Sequence, residues 1–319
     1  MHEHVTGHQR VDVTEPVVAV ILPCYNEEAS IRQTIESFRA ALPQADIYVF
    51  DNNSSDRTSE VARAAGAIVR HESGPGKGNV VRRMFSDVVA DYYVMADGDA
   101  TYDASLAPKM VELAATCQYD MVVGRRIAQE TEAYRAGHKL GNRVLTGMLA
   151  MFFGRQFTDI LSGYRVFSYR FVKSFPAFSS RFEIETELSV HALRMRMPLA
   201  EVDTPYYKRP EGSLSKLSTY KDGLLILRTM INLVRQERPL LFFGVIGALL
   251  TLAAVVLAIP VLRTYLETGL VPRIPTAILS ASLTLLGALT FMTGLILDAV
   301  VRGRLETLRM HYLSLPPRL

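Results

Sequence analysis

The chain has 319 residues, a net charge of +3 and a hydrophobic content of 49%. That balance excludes a protein that binds nucleic acid by bulk charge, because no long basic run stands outside the last third. Cys24 and Cys117 lie far apart without metal-ligand spacing, which excludes a disulfide framework and predicts free thiols in a reducing compartment.

Residues 1–16, MHEHVTGHQRVDVTEP, contain no apolar core of a signal peptide. They read as a disordered tail, with His2, His4 and His8 as tail residues rather than metal ligands. From there strands and helices alternate. VVAVILP (17–23) is a continuous apolar run, as expected of a buried parallel strand. EEASIRQTIESFRAAL follows, with Ile31, Ile35, Phe38 and Leu42 on one helical face and Asn26 placed to cap it. IYVFD (47–51) is a second strand, and a helix near 56–65 stops at Gly66. AIVRH is a third strand, GNVVRRMFSDVV a helix, YYVMAD a fourth strand. A helix near 104–116 leads to DMVVG (120–124), a fifth. This order predicts an α/β, doubly wound, mostly parallel sheet over residues 17–219.

The composition changes after residue 219. Between Tyr220 and Glu237, Leu224, Leu225, Leu227, Ile231 and Val234 recur at roughly helical spacing among Lys and Arg, so 220–238 reads as an amphipathic juxtamembrane helix. Residues 240–262 and 276–297 are uncharged stretches, each long enough to cross about 30 Å of hydrocarbon; together they form a membrane region over 239–300. Arg228, Arg235 and Arg238 precede the first span, and Arg302, Arg304 and Arg309 follow the second, against two arginines in the 263–275 connection. The positive-inside rule then places both termini and the 301–319 tail in the cytoplasm.

Polar clusters fall at the carboxyl ends of the predicted strands, where open α/β sheets bind ligands: Pro23 to Glu28, Asp51 to Asp56, Asp97 to Asp103 and Gly124 to Arg126. GPGKGN (74–79) lacks the spacing of a phosphate loop, and no GxGxxG follows the first strand. DGDATYD (97–103) fails as an EF-hand, which needs Gly and Glu where Tyr102 and Pro108 stand. What remains is Asp97-Gly98-Asp99 at a strand end. In extended chain both carboxylates face the same way and suit a hard cation, Mg²⁺ or Mn²⁺, that shares its shell with phosphates. A turn of solvated aspartates is the other reading of this tripeptide.

PCYNEE (23–28), DNNSSDRT (51–58), GKGNVVRR (76–83), DGDATYD, VVGRR (122–126), TDILSGYRVFS (158–168), FEIETEL (182–188) and RPEGSLSKL (209–217) follow one another in the order seen in family-2 glycosyltransferases. Over about residues 17–220 the chain resembles their polyprenyl-phosphate group, which includes dolichol-phosphate mannose synthase and bactoprenol glucosyltransferase. The resemblance implies a GT-A fold and inverting transfer of a sugar, from a nucleotide-diphosphate donor such as a UDP-hexose, to a polyprenyl phosphate such as undecaprenyl phosphate. It implies a bacterial-type inner membrane location, a role in cell-envelope glycan synthesis and a homo-oligomer. By the same resemblance Pro23, Tyr25, Glu27, Asp51, Lys77 and Asp97 bind the nucleotide sugar, and Asp99, with Asp97, holds Mg²⁺ or Mn²⁺. Arg126, Arg143, Arg209 and Lys216 meet the acceptor phosphate, and Asp97, Asp99 and Asp159 are catalytic. The chain departs from the family pattern at Asn52, where a second Asp is usual, at Thr101, where Gln often stands, and by one residue inserted between Gly212 and Lys216. A processive polysaccharide synthase is the rival enzyme, but this chain lacks Trp and so lacks that group's Gln-x-x-Arg-Trp motif. A membrane scaffold without activity is the other rival, against which the intact Asp-x-Asp argues.

Overall fold

A computed structural model describes residues 15–128, 147, 158–177, 184–208, 231–232 and 234–316. Residues 1–14 of the expected N-terminal tail, Arg143, Arg209, Lys216 and most of the 220–238 segment lie outside the described residues. The chain divides into two compact units, Met1–Lys216 with His311–Leu319, and Leu217–Met310.

The first unit is built on a seven-stranded sheet: β1 (Val18–Cys24), β2 (Asp46–Asp51), β3 (Ile68–His71), β4 (Tyr92–Met95), β5 (Met121–Ala128), β6 (Arg165–Ser168) and β7 (Leu199–Tyr206). Their spatial order is β3-β2-β1-β4-β6-β5-β7. Six strands run the same way, and β6 alone is antiparallel to both neighbours. The mostly parallel sheet is therefore as expected, with one reversal that the sequence pattern did not announce. The reversal matters for the site: the start of β6 and the residues before it arrive at the same edge as the carboxyl ends of the parallel strands.

Four helices connect the first five strands, α1 (Ile31–Ala41), α2 (Thr58–Ala64), α3 (Lys77–Asp87) and α4 (Ala107–Thr116). Ile31, Ile35 and Phe38 of α1 are buried against β1, β2 and α4 residues such as Leu22, Val49 and Met110. Gly66 ends the α2 turn with φ 81°, as its position suggested. Asn26 does not cap α1. It adopts a left-handed φ of 53°, and its Oδ1 accepts instead from Ser55 N at 2.8 Å; α1 begins after Ser30. Among the described residues the unit has two further α-helices, α5 (Tyr169–Ser174) and α6 (Ile184–Met195). At the sheet edge opposite the site, Asp120 accepts from Ser168 Oγ and Tyr312 Oη, each at 2.6 Å.

The two long apolar helices are α7 (Pro239–Thr268) and α8 (Ile274–Ser314), and the second unit holds α7 and α8 as far as Met310. Both are long and apolar enough to cross a membrane. They extend beyond the expected spans, so the connection shrinks to residues 269–273, opened by Gly269 at φ 70°. The C-terminal part, expected as a tail, continues α8 to Ser314. The helices meet along small residues. Ser280 Oγ donates to Ala254 O (2.9 Å), and a Cβ on Gly287 would lie 2.6 Å from Thr251 Oγ1 and 3.0 Å from Gly247 O. Backbones can approach that closely only without side chains between them.

Candidate active site

β1 runs into the site edge with Pro23 and Cys24 buried and Tyr25 exposed. Glu27 is buried, and its carboxylate accepts from Ser30 Oγ (3.2 Å) while its N–H donates to Thr58 Oγ1 (2.8 Å). Beside it, β2 ends in Asp51. This buried carboxylate accepts from Ser54 N (2.9 Å) and Ser59 Oγ (2.5 Å). The Cys24 thiol is pushed well up by burial and then by the carboxylates of Glu27, Asp51, Asp97 and Asp99, so it stays an uncharged filler.

Asn52 shows what its departure from the family pattern does. Its Nδ2 donates to Glu72 O (2.9 Å) and Gly74 O (2.7 Å), and its Oδ1 accepts from Gly76 N (2.7 Å). A carboxylate offers no donor for two carbonyls, whereas an amide satisfies all three groups. The loop so held delivers Lys77, the first residue of α3, after Gly76 at φ 113°.

Lys77 offsets the charge of the first carboxylate of Asp97-Gly98-Asp99. Its buried Nζ lies 2.5 Å from Asp97 Oδ1 and 2.6 Å from Glu185 Oε1. Burial alone would lower its pKa; Asp97 and Glu185 more than reverse this and hold it above the usual lysine range. Asp99 is buried, and its Oδ1 accepts from Thr101 Oγ1 (2.6 Å) and more weakly from Thr101 N (3.3 Å). The residue at the usual Gln position thus serves the second carboxylate through a hydroxyl.

The segment before β6 closes the other side. Gly163 abuts Asp97, where an added Cβ would fall 2.6 Å from Oδ2, and its N–H donates to Tyr102 Oη (2.9 Å). Further along the segment, Asp159 is buried and takes a two-pronged ion pair from Arg126 of β5, Nε and Nη2 each at 2.8 Å. The same guanidinium lies 5.5 Å from the ring centre of Tyr206, which stands 5.4 Å from Tyr102. Glu201 fastens the segment from β7 by accepting from Thr158 N, Thr158 Oγ1 and Asp159 N. Asp97, Gly163, Tyr102, Tyr206, Arg126 and Asp159 therefore form one contiguous patch. A cavity of about 480 Å³ opens beside it, lined in part by Asp97, Tyr102, Thr34 and Phe38.

Pro23, Tyr25, Glu27, Asp51, Lys77, Asp97, Asp99, Arg126 and Asp159 thus gather at one edge, while Arg143, Arg209 and Lys216 lie outside the described residues. Sequence reasoning missed Glu185, Glu201 and the buried Arg165. Glu185 and Arg165 stand inside motifs that were visible and Glu201 in none of them, while Glu185 and Glu201 meet partners remote in sequence. Among the described residues no three His, Cys, Asp or Glu side chains group to hold a metal by themselves. A cation here would rest on Asp99 and Asp97 and complete its shell from phosphate and water, which is the habit of Mg²⁺ and Mn²⁺; the donor set fits.

Comparison with known proteins agrees with this geometry. Residues 19–175 match the family model described as glycosyl transferase family 2. Glycosyltransferase AglJ of Haloferax volcanii is 33% identical over 298 residues, covering 93% of this chain and 97% of that one. An undecaprenyl-phosphate 4-deoxy-4-formamido-L-arabinose transferase of Pectobacterium carotovorum is 27% identical over 268 residues, 79% of this chain and 77% of its own. In fold, the chain resembles glucosyl-3-phosphoglycerate synthase of Mycobacterium tuberculosis, crystallised with Mn²⁺, UDP-glucose and phosphoglyceric acid. The TM-score is 0.53 at 21% identity, over 69% of this chain and 79% of that one. With a relative matched along nearly its whole length and the family's fold around the clustered motifs, the chain belongs to glycosyltransferase family 2 and is a glycosyltransferase.

Proposed function

We propose that this glycosyltransferase moves a sugar from a nucleotide-diphosphate donor, a UDP-hexose, to the phosphate of a membrane polyprenol such as undecaprenyl phosphate, with inversion. The observation that carries the reading is the meeting of two charged arrays at one sheet edge, Asp97–Lys77 with Asp99 and Arg126–Asp159, in a chain with two helices able to cross a membrane. Relatives whose names include polyprenyl-phosphate acceptors support it.

In this reading Pro23, Tyr25, Glu27 and Asp51 receive the nucleoside, and Lys77 and Asp97 face the diphosphate. Asp99, with Asp97, would hold Mg²⁺ or Mn²⁺, whose charge neutralises the leaving diphosphate. Arg126 receives the acceptor phosphate, joined by Arg143, Arg209 and Lys216. Asp159 acts on Arg126: with both oxygens engaged by the guanidinium, it fixes the plane that meets the phosphate. A phosphate monoester has its second pKa near about 6, so the acceptor is already a nucleophile at neutral pH. Catalysis is then positioning and electrostatics, and an α-linked donor yields a β-linked lipid product for cell-envelope glycan synthesis. The enzyme sits as a homo-oligomer in the cytoplasmic membrane, with the catalytic unit and both termini in the cytoplasm.

The test is a panel of nucleotide sugars with purified protein, measuring nucleoside-diphosphate release with and without undecaprenyl phosphate. Release that needs both lipid phosphate and one donor is expected; donor hydrolysis indifferent to lipid would overturn the acceptor assignment. Topology is tested by a cysteine at Thr268, which should react with an impermeant reagent from the outer side in intact cells.

A further inference from the structure

Asp97 alone would neutralise Lys77, yet a second carboxylate reaches the same ammonium from a different element. Glu185 lies in the first turn of α6, with Oε1 2.6 Å from Lys77 Nζ. Its backbone carbonyl accepts from Arg165 Nη2 (3.1 Å), which fixes that turn. The two carboxylates differ in placement. Asp97 is 30% exposed at the site edge and stands two residues from Asp99, whereas Glu185 is 8% exposed. A divalent cation arriving between Asp97 and Asp99 would share the Asp97 charge and repel the ammonium beside it. A lysine held by Asp97 alone would then lose its partner. One also held by Glu185 keeps a second, buried carboxylate.

We propose that Glu185 is a positioning residue for the transfer: acting through Lys77, it keeps the ammonium beside Asp97 when the donor's diphosphate and its cation are bound. The proposal rests on the reading of this edge as the donor site. A purely structural Glu185, neutralising a buried charge, would change stability and leave donor affinity as it was.

The experiment uses the full chain in detergent and three variants, Glu185→Gln, Lys77→Gln and the double. Affinity for UDP and GDP in the presence of Mn²⁺ is measured by calorimetry, and donor KM and kcat by turnover. We expect Glu185→Gln to weaken binding of the preferred nucleotide about 10- to 100-fold, the scale of one charge-assisted contact. Its donor KM should rise more than its kcat falls. The double variant should bind no more weakly than Lys77→Gln alone, because the two residues act as one unit. Wild-type affinity in Glu185→Gln, or additive losses in the double, would overturn the proposal. If the Gln variant does not fold, Glu185→Ser carries the same comparison with the same outcomes. A wild-type protein that binds neither nucleotide would instead overturn the donor-site reading, and this proposal with it.

Discussion

Lys77 and Arg165 are both cations buried in the first unit, and their surroundings differ in kind. Lys77 lies between two carboxylates, Asp97 and Glu185. Arg165 is fully buried and donates to carbonyls: Nε to Ser162 O (2.9 Å), Nη2 to Ile160 O (2.6 Å) and to Glu185 O (3.1 Å). Burial lowers the Arg165 pKa to about 10, with Glu185 and Asp159 partly opposing it, so it remains charged at neutral pH. A cation held by carboxylates can change partners when an anion arrives. One held by carbonyls rivets the backbone that supplies them. Here the rivet pins residues 160–162 and the start of α6, and so holds Asp159 and Glu185 from behind. His191 is a third case. Its ring packs against Phe171 and Phe175 with Ser174 Oγ at 3.3 Å, and burial, then Arg194, lowers its pKa to about 4. It gives up its proton, and its contacts are with a hydroxyl and two aromatic rings.

Breaking the carboxylate array should have the largest effect. Asp99→Asn keeps the shape of the side chain but removes its charge. Transfer should fall by about a thousandfold or more, with the melting temperature within a few degrees of wild type. Excess EDTA should silence the wild-type enzyme, and added Mn²⁺ or Mg²⁺ should restore it. Full activity in EDTA would show that the pair Asp97 and Asp99 works without a cation.

Breaking the carbonyl rivet should act on stability first. Arg165→Met removes the donor to three buried carbonyls, at a cost of about 3–5 kcal/mol, read as a lowered denaturant midpoint. A variant as stable as wild type but unable to bind donor would reverse the contrast between the two cations.

His191 sharpens the contrast through pH. Its unfolded pKa is near 6.5 and its folded pKa about 4, so between these values the unfolded chain binds more protons. The stability that the neutral ring contributes is whole above the unfolded value and is lost as pH falls toward 4, by roughly 3 kcal/mol in all. His191→Gln should flatten the fall in melting temperature between pH 7 and 4.5. Parallel curves for the two proteins would mean that another group governs acid unfolding.

The strands that carry Asp51, Asp97 and Arg126 were legible because each is a run of apolar residues ending in a polar cluster. β6 and β7 were not. RVFS is too short to show a period, and LAEVDTPY is a half-covered edge strand with mixed polarity. The reversal of β6, which brings Asp159 to the site, is a property of the sheet and leaves no local mark. Asn26 misled for a related reason: its side chain was free to cap α1 by sequence, but the left-handed backbone turns it toward Ser55. The motifs named the site's edge. Which carboxylate meets which cation depends on partners such as Lys77 and Glu185, brought together only by the sheet.

The smallest effect expected is at Asn52, where a neutral group does what the charged residue usual in the family does not. Asn52→Asp replaces the donor to Glu72 O and Gly74 O by a carboxylate oxygen, while the acceptor to Gly76 N survives. Two carbonyls lose a partner, but the loop is partly exposed and water can serve them, so about 1–2 kcal/mol of stability is at stake. The loop ends in Lys77, so its displacement should be felt in donor KM, raised several-fold on the same energy scale, with kcat little changed. Asn52→Gln keeps the amide on a longer arm and should fall between Asp and wild type. An Asp variant with wild-type KM and wild-type melting temperature would show that the loop holds Lys77 without Asn52, leaving the carboxylates alone to place the ammonium.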